Sequence, residues 1–366
     1  MALRVGFDVT VATSKRPRGM ANYVFELLPA LERAAPEIEP VLFLRDDRWF
    51  RRDRIAHLAP GAERRWMVEP MKAPLRGLDV FHGMGTRLPV SSRVPRTFTL
   101  HDLRGIDDAP EVQATNNRDR KIRTIRRADR ILVLTEFGAD RLVALFPEVR
   151  RESVTVVGHG VDLDRFRPHD AAEHAAVRAA LGLPERFLLQ LGSFFPHKNL
   201  EASIEGFARS GARSGDTALV LAGGGGSEEY RASLMERVER HGLAERVRWI
   251  DHVPAEHLAP LVSAARAVLM PSRYEGYGMP ILEAMAAGTA GVASTSTCLP
   301  EVSAGIWDAC DPDDADAWAL AIDRLVGEES AHDATVERGL AHAATRTWDE
   351  CARRTATFLK TAAESA

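Results

Sequence analysis

Short apolar runs alternate along this chain with longer stretches in which apolar residues return every three or four positions. In the first half the short runs are Arg4–Asp8, Pro40–Leu44, Asp79–His82, Thr97–His101, Arg130–Leu134 and Val154–Val157. The second half offers Arg186–Leu191, Thr217–Ala222, Val247–Ile250, Ala267–Met270, Thr289–Ala293 and Ile306–Ala309. Their length and continuity predict buried strands. Between them, Tyr23, Val24, Leu27, Leu28 and Leu31 carry the 3.6-residue period of a helix, as do Trp318, Ala321, Ile322 and Leu325. Strand alternating with helix, twice over, predicts two doubly wound α/β domains. A charged, Ala-rich segment from about Pro168 to Pro184 separates them and reads as a linker plus one helix.

The 366 residues suit two domains better than one core. A net charge of −4 argues against a dedicated nucleic-acid binder. No apolar run approaches the roughly 20 residues that span a bilayer, and the N-terminus enters a strand pattern with no signal-peptide core. Cys298, Cys310 and Cys351 are odd in number and lack metal-ligand spacing, which suits a reducing cytosol. The expected location is therefore cytoplasmic.

Open α/β sheets bind ligands beyond the carboxyl ends of their strands, so the loops there hold the candidate chemistry. After Ala267–Met270 comes Pro271-Ser-Arg-Tyr-Glu-Gly-Tyr-Gly-Met-Pro-Ile-Leu-Glu-Ala-Met-Ala-Ala-Gly288. Pro280 fits the first position of a helix over Ile281–Ala287, and Gly288 fits its stop. Strand, glycine loop and helix aim free backbone N–H groups at one spot, a seat for an anion or phosphate. Glu275 and Glu283 flank that seat. Either they complement a helix end and solvent, or they accept hydrogen bonds from the hydroxyls of a sugar or ribose.

The run from Glu275 to Gly288 resembles the E-x7-E signature of family 4 retaining glycosyltransferases, E-G-[FY]-G-[LM]-P-x-x-E-A-[ML]-A-x-G. The match covers the whole element. The resemblance implies a GT-B fold, two Rossmann-like domains facing a central cleft. The first would span 1–167 and bind the acceptor; the second, 168–347, would bind the nucleotide sugar; a last helix, about 348–366, would cross back to the first. It also implies transfer of a hexose from a nucleotide diphosphate sugar, a UDP- or GDP-sugar such as GDP-mannose, to a hydroxyl of a saccharide, lipid or small molecule. In that reading Glu275 and the N–H groups of Gly276, Tyr277, Gly278 and Met279 hold the sugar, and Glu283 holds the ribose. The leaving phosphate itself takes the acceptor proton, so no protein nucleophile is named.

Other elements resemble the same family. Gly192-Ser-Phe-Phe-Pro-His-Lys-Asn-Leu is similar to its phosphate element, which gives Lys198 the diphosphate as a compact point charge. Ser193 stands where many members carry arginine, and its hydroxyl or Arg273 would compensate. His101-Asp102-Leu103 resembles the H-D-L element, which implies His101 near the transferred sugar and the reacting phosphate and Asp102 at the acceptor; the alternative is a histidine satisfied within a turn, with Asp102 capping the next helix. Arg18-Gly19-Met-Ala-Asn-Tyr23 resembles the glycine element of the first domain, with Gly19 backbone facing the donor and Arg18 the phosphate or acceptor. Asp251-His-Val253 is similar to the turn whose backbone, beside Val253, meets the nucleobase. Gly223–Gly226 reads either as a place of close backbone approach or as a floppy loop.

Asp162-Leu-Asp164 is formally a D-x-D metal motif. It sits in a stretch resembling the family's G-V-D-x-x-x-F connector and reads as structural, so neither metal nor cofactor is expected. The basic stretch Arg118–Arg130 reads either as a peripheral contact with anionic headgroups at the inner face of a membrane or as a solvated helix face. Only Ile122 and Ile125 would support insertion. Two rival functions keep the architecture: a nucleotide-sugar epimerase, which needs no acceptor, and an inactive sugar-nucleotide-binding protein.

Overall fold

The computed structural model describes residues 2–14, 19–68, 75–90, 92–107 and 116–365. The chain forms two compact units, Met1–Gly160 with Trp348–Ala366, and Val161–Thr347. In the first unit the strands are β1 (Leu3–Asp8), β2 (Ile38–Arg45), β3 (Glu63–Met67), β4 (Val80–Gly83), β5 (Arg96–Leu100), β6 (Arg130–Val133) and β7 (Val154–Val156). They pair in parallel in the order β3-β2-β1-β4-β5-β6-β7. In the second unit β8 (Phe187–Leu191), β9 (Ala218–Ala222), β10 (Val247–Ile250), β11 (Ala267–Met270), β12 (Ala290–Ser294) and β13 (Asp308–Cys310) pair in parallel in the order β10-β9-β8-β11-β12-β13.

The central strands are buried on both faces because helices cover both. β8, Phe-Leu-Leu-Gln-Leu, is buried throughout. Its one polar residue anchors a loop. Gln190 Nε2 donates to the Lys198 carbonyl at 2.9 Å and fixes the turn that carries Lys198. β3 is the strand the apolar pattern does not predict. Its sequence is Glu-Arg-Arg-Trp-Met, a charged edge strand, and charge at an edge discourages further pairing.

Each sheet reverses its winding direction once, between β1 and β4 in the first unit and between β8 and β11 in the second. The loops leaving those paired strands diverge, and the crevice that opens between them is where such sheets hold ligands.

The division between units falls at Gly160 and Val161, seven residues before the expected boundary. Val161 bridges to Thr347 and donates its N–H to Arg346 O at 2.8 Å, and Arg165 Nη2 reaches Ala255 O at 3.3 Å. The connector is thus built into the second unit. The expected linker holds a helix, Ala171–Leu181, closed by an Asp170/Glu173 capping box and by Gly182 in the left-handed region. The helix Trp348–Glu364 belongs to the first unit, packed on the helix Gly19–Ala34.

Candidate active site

Lys198 follows β8 and Glu275 follows β11, the two neighbouring strands at the switch point of the second unit. Seventy-seven residues apart in sequence, they meet directly: Lys198 Nζ lies 2.5 Å from Glu275 Oε1, both side chains largely buried. Ser272 Oγ donates to the same oxygen at 2.7 Å. Oε1 is thereby filled, while Oε2 and two Lys198 N–H bonds remain for a ligand. The Glu275 N–H donates to Thr297 Oγ1 at 3.3 Å, and Cys298 Sγ donates to the Glu275 carbonyl at 3.3 Å. Burial pushes the Cys298 thiol up to about 12, so it packs as a thiol and offers no nucleophile.

Beyond Glu275 the loop turns through Gly278, φ 91°, into the helix Met279–Ala286, with Pro280 in its first turn. A Cβ on Gly278 would sit 2.6 Å from Leu299 Cδ2. The N–H groups of Gly276, Gly278 and Met279 find no acceptor among the described residues. They are open donors at the positive end of a helix dipole. Glu283 stands in this helix, partly covered, and burial raises its carboxyl to about 7 against a weaker pull from Arg165.

Asn199 completes the frame. It is buried in the left-handed region at φ 53°, and its Nδ2 donates to Pro271 O at 3.1 Å and Pro312 O at 2.9 Å. It therefore ties the Lys198 turn to the Glu275 loop. Arg273 pairs with Asp313 at 2.6 Å and donates to Asn199 Oδ1 at 3.3 Å. Its charge is committed to Asp313, so the expected compensation for Ser193 has a competitor.

The four glycines are a packed joint. A Cβ on Gly223 would fall 2.0 Å from Gly192 O, one on Gly224 2.5 Å from Asp251 O, and one on Gly226 1.7 Å from Phe194 O. All four have positive φ. The joint locks the Gly192 loop against the turn that carries Val253, where Asp251 pairs with Arg231.

In the first unit, His101 follows β5. Its Nε2–H donates to Met84 O at 3.3 Å, which leaves Nδ1 as an acceptor. Burial lowers its pKa, and Tyr23 meets its ring edge-on at 4.9 Å. Asp102 pairs with the buried Lys121 at 2.6 Å and accepts from the Arg104 N–H, so it orders its own loop. Lys121, Thr124 and Ile125 turn inward from the basic stretch, whose helix is Asn116–Arg127. Gly19 opens the helix Gly19–Ala34 with nothing within 4 Å of a Cβ built on it. Arg18 lies outside the described residues. Asp162 Oδ1 accepts the N–H groups of Asp164 at 3.0 Å and Arg165 at 3.1 Å, so this carboxylate closes a turn.

Residues 3–165 match Glycosyltransferase Family 4, and residues 175–341 match Glycosyl transferases group 1. The chain belongs to this glycosyltransferase family. It is 29% identical to the O-antigen chain mannosyltransferase B of Escherichia coli over 75% of this chain and 72% of that protein. It is 32% identical to the D-inositol 3-phosphate glycosyltransferase of Nocardia farcinica over 70% of this chain and 59% of that protein. The fold of Anabaena HepE, solved with UDP and glucose, covers 98% of this glycosyltransferase and 100% of that chain, with a TM-score of 0.75 at 16% identity. That likeness shows GT-B architecture, two parallel-sheet Rossmann-like domains.

Sequence reasoning did not find Ser272, Thr297 or Asn199. Each lies in a loop with no periodicity and acts on a residue distant in sequence or through one side-chain atom. Asn199 alone carried a signal, its place directly after Lys198.

Proposed function

We propose that this glycosyltransferase moves a hexosyl group, with retention at the anomeric carbon, from a nucleotide diphosphate sugar to a hydroxyl of a saccharide, lipid or small-molecule acceptor. One observation carries the reading: Lys198 and Glu275 meet beside three open backbone N–H groups at a helix end. A diphosphate needs donors and positive charge as it leaves, and the N–H groups, the helix dipole and Lys198 supply both. A hexose needs acceptors, and Glu275 Oε2 is one. Glu283 accepts the ribose hydroxyls. Val253 backbone and the Ser193 hydroxyl complete the donor side; Gly19 and His101 are assigned to the phosphates and the sugar.

In the reaction the bond from the anomeric carbon to the phosphate oxygen breaks, and the acceptor oxygen bonds to that carbon on the same face. The acceptor proton passes to the departing diphosphate. No metal is assigned a part, because Asp162 is spent on a turn. The mannosyltransferase relative makes GDP-mannose the first donor to try.

A thermal-shift panel of UDP-, GDP-, ADP- and TDP-sugars tests the reading. A true donor at a hundred times its Kd stabilises by about 2.7 kcal/mol. Product formed in excess EDTA, with the donor's anomeric configuration by NMR, is the expected result. Turnover of the donor without any acceptor would point to an epimerase, and failure of every nucleotide sugar to stabilise the chain would overturn the proposal.

A further inference from the structure

At the opposite end of the first sheet from His101, the residues leading into β5, β6 and β7 surround a cavity of about 670 Å³. Ala362 of the helix Trp348–Glu364 lines one side. Four arginines, Arg93, Arg96, Arg130 and Arg150, and two acidic residues, Asp129 and Glu152, line it. Asp129 is occupied: it takes the Arg96 N–H at 2.8 Å and the Arg96 guanidinium at 3.3 Å. The other cations are not. Arg130 gives one N–H to the Glu152 carbonyl at 3.2 Å, while its Nε is fully buried with no acceptor. Among the described residues the guanidinium groups of Arg93 and Arg150 and the carboxylate of Glu152 have no partner.

A buried donor without an acceptor is unfavourable, and a cluster of unused guanidinium groups matches the oxygens of a phosphate. Bare phosphate would also meet the Glu152 carboxylate, which repels it. A hydroxyl on the same ligand would turn that carboxylate into a partner. The volume is that of a small-molecule site. We propose that this cavity binds a phosphorylated sugar or polyol, its phosphate on Arg93, Arg130 and Arg150 and a hydroxyl on Glu152. The assignment is independent of the donor chemistry argued above.

Equilibrium dialysis of the full chain with labelled glucose 6-phosphate, in saturating UDP and GDP, tests it. The expected result is saturable binding that both nucleotides leave in place. Arg93→Ala/Arg150→Ala should weaken it about tenfold or more, the usual effect of lost charged hydrogen bonds. Inorganic phosphate should bind more weakly than the sugar phosphate, and Glu152→Gln should erase that preference. Both arginines are exposed, so the variant should keep the parent Tm; if it does not fold, Arg150→Glu alone carries the test. No saturable binding, displacement by the nucleotides, equal binding of phosphate and sugar phosphate, or undiminished binding by the variants would each overturn the proposal.

Discussion

Lys198 and Glu275 hold one another in the free protein, so neither is an independent part of the site. Removing either leaves the other misplaced. Lys198→Ala and Glu275→Ala should each cost on the order of 1.5–3 kcal/mol in kcat/KM, the range of a charged hydrogen bond. The double variant should lose little more than the worse single one, because groups in contact are not additive. Losses that simply sum in a double-mutant cycle would show that the two side chains act independently and would overturn the coupling. Glu283 gives a second prediction. Its carboxyl titrates near 7, and only the ionised form accepts two hydroxyls. Affinity for a nucleotide sugar, whose own phosphates stay ionised here, should therefore rise as pH increases from 6 to 8, and Glu283→Gln should flatten the curve. The stability sign is opposite: a raised folded-state value means that the contribution is full below the ordinary 4.5 and lost as pH climbs through about 7. Lys198 and Glu275, which the structure brings together, stood out in the sequence because each sits in a dense local motif at a strand end. Ser272 and Thr297 did not, because a hydroxyl that orients a carboxylate has no spacing rule.

At the scale of elements, the four-glycine joint decides between two readings that sequence left open. Glycine composition cannot distinguish a loose loop from one whose neighbours leave no room for a side chain. Here Gly226 would drive a Cβ into Phe194 O, whereas one on Gly225 would only touch Phe195 Cε2 at 4.0 Å. Both have φ near 80°, so an alanine at either carries backbone strain of order 1–3 kcal/mol. Gly226→Ala adds a steric clash with backbone. It should lower the Tm well beyond Gly225→Ala and weaken nucleotide binding, while Gly225→Ala should bind nearly normally. Equal Tm losses in the two variants would show that the joint opens freely. The strands were legible from continuous apolar runs, and β3 was not, because an edge strand's charges hide it from that pattern.

Over the whole molecule, acid should act on the two units differently. His82 is buried in the first unit, its ring nitrogens 2.8 and 2.9 Å from Thr97 and Thr99 hydroxyls, and burial lowers it to about 3. His159 is lowered to about 4 by the same cause. A depressed histidine contributes stability that is full above the unfolded 6.5 and lost as pH falls below it, by roughly 1.4 kcal/mol per pH unit for each group. Hydrogen exchange at pH 7 and pH 5, corrected for intrinsic rates, should show β4 and β5 losing protection while β8 and β11 hold theirs. Uniform loss would mean that His82 and His159 do not set a difference between the units, since burial also lowers His174 and His342 in the second. The unit division itself was legible from the repeated alternation of strand and helix, but its boundary was not, since only the Val161–Thr347 bridge reveals which unit owns the connector. The helix Trp348–Glu364 has a further consequence. It buries Trp348, Cys351, Phe358 and Leu359 in the first unit, and its start lies so close to Gly160 that a Cβ there would meet Trp348 backbone at 2.5 Å. During synthesis the ribosome delivers this helix after the whole of the second unit. The first unit is therefore completed only after all of the second has been made, and a released chain truncated after residue 347 should expose the first unit to proteases and chaperones while the second stays closed.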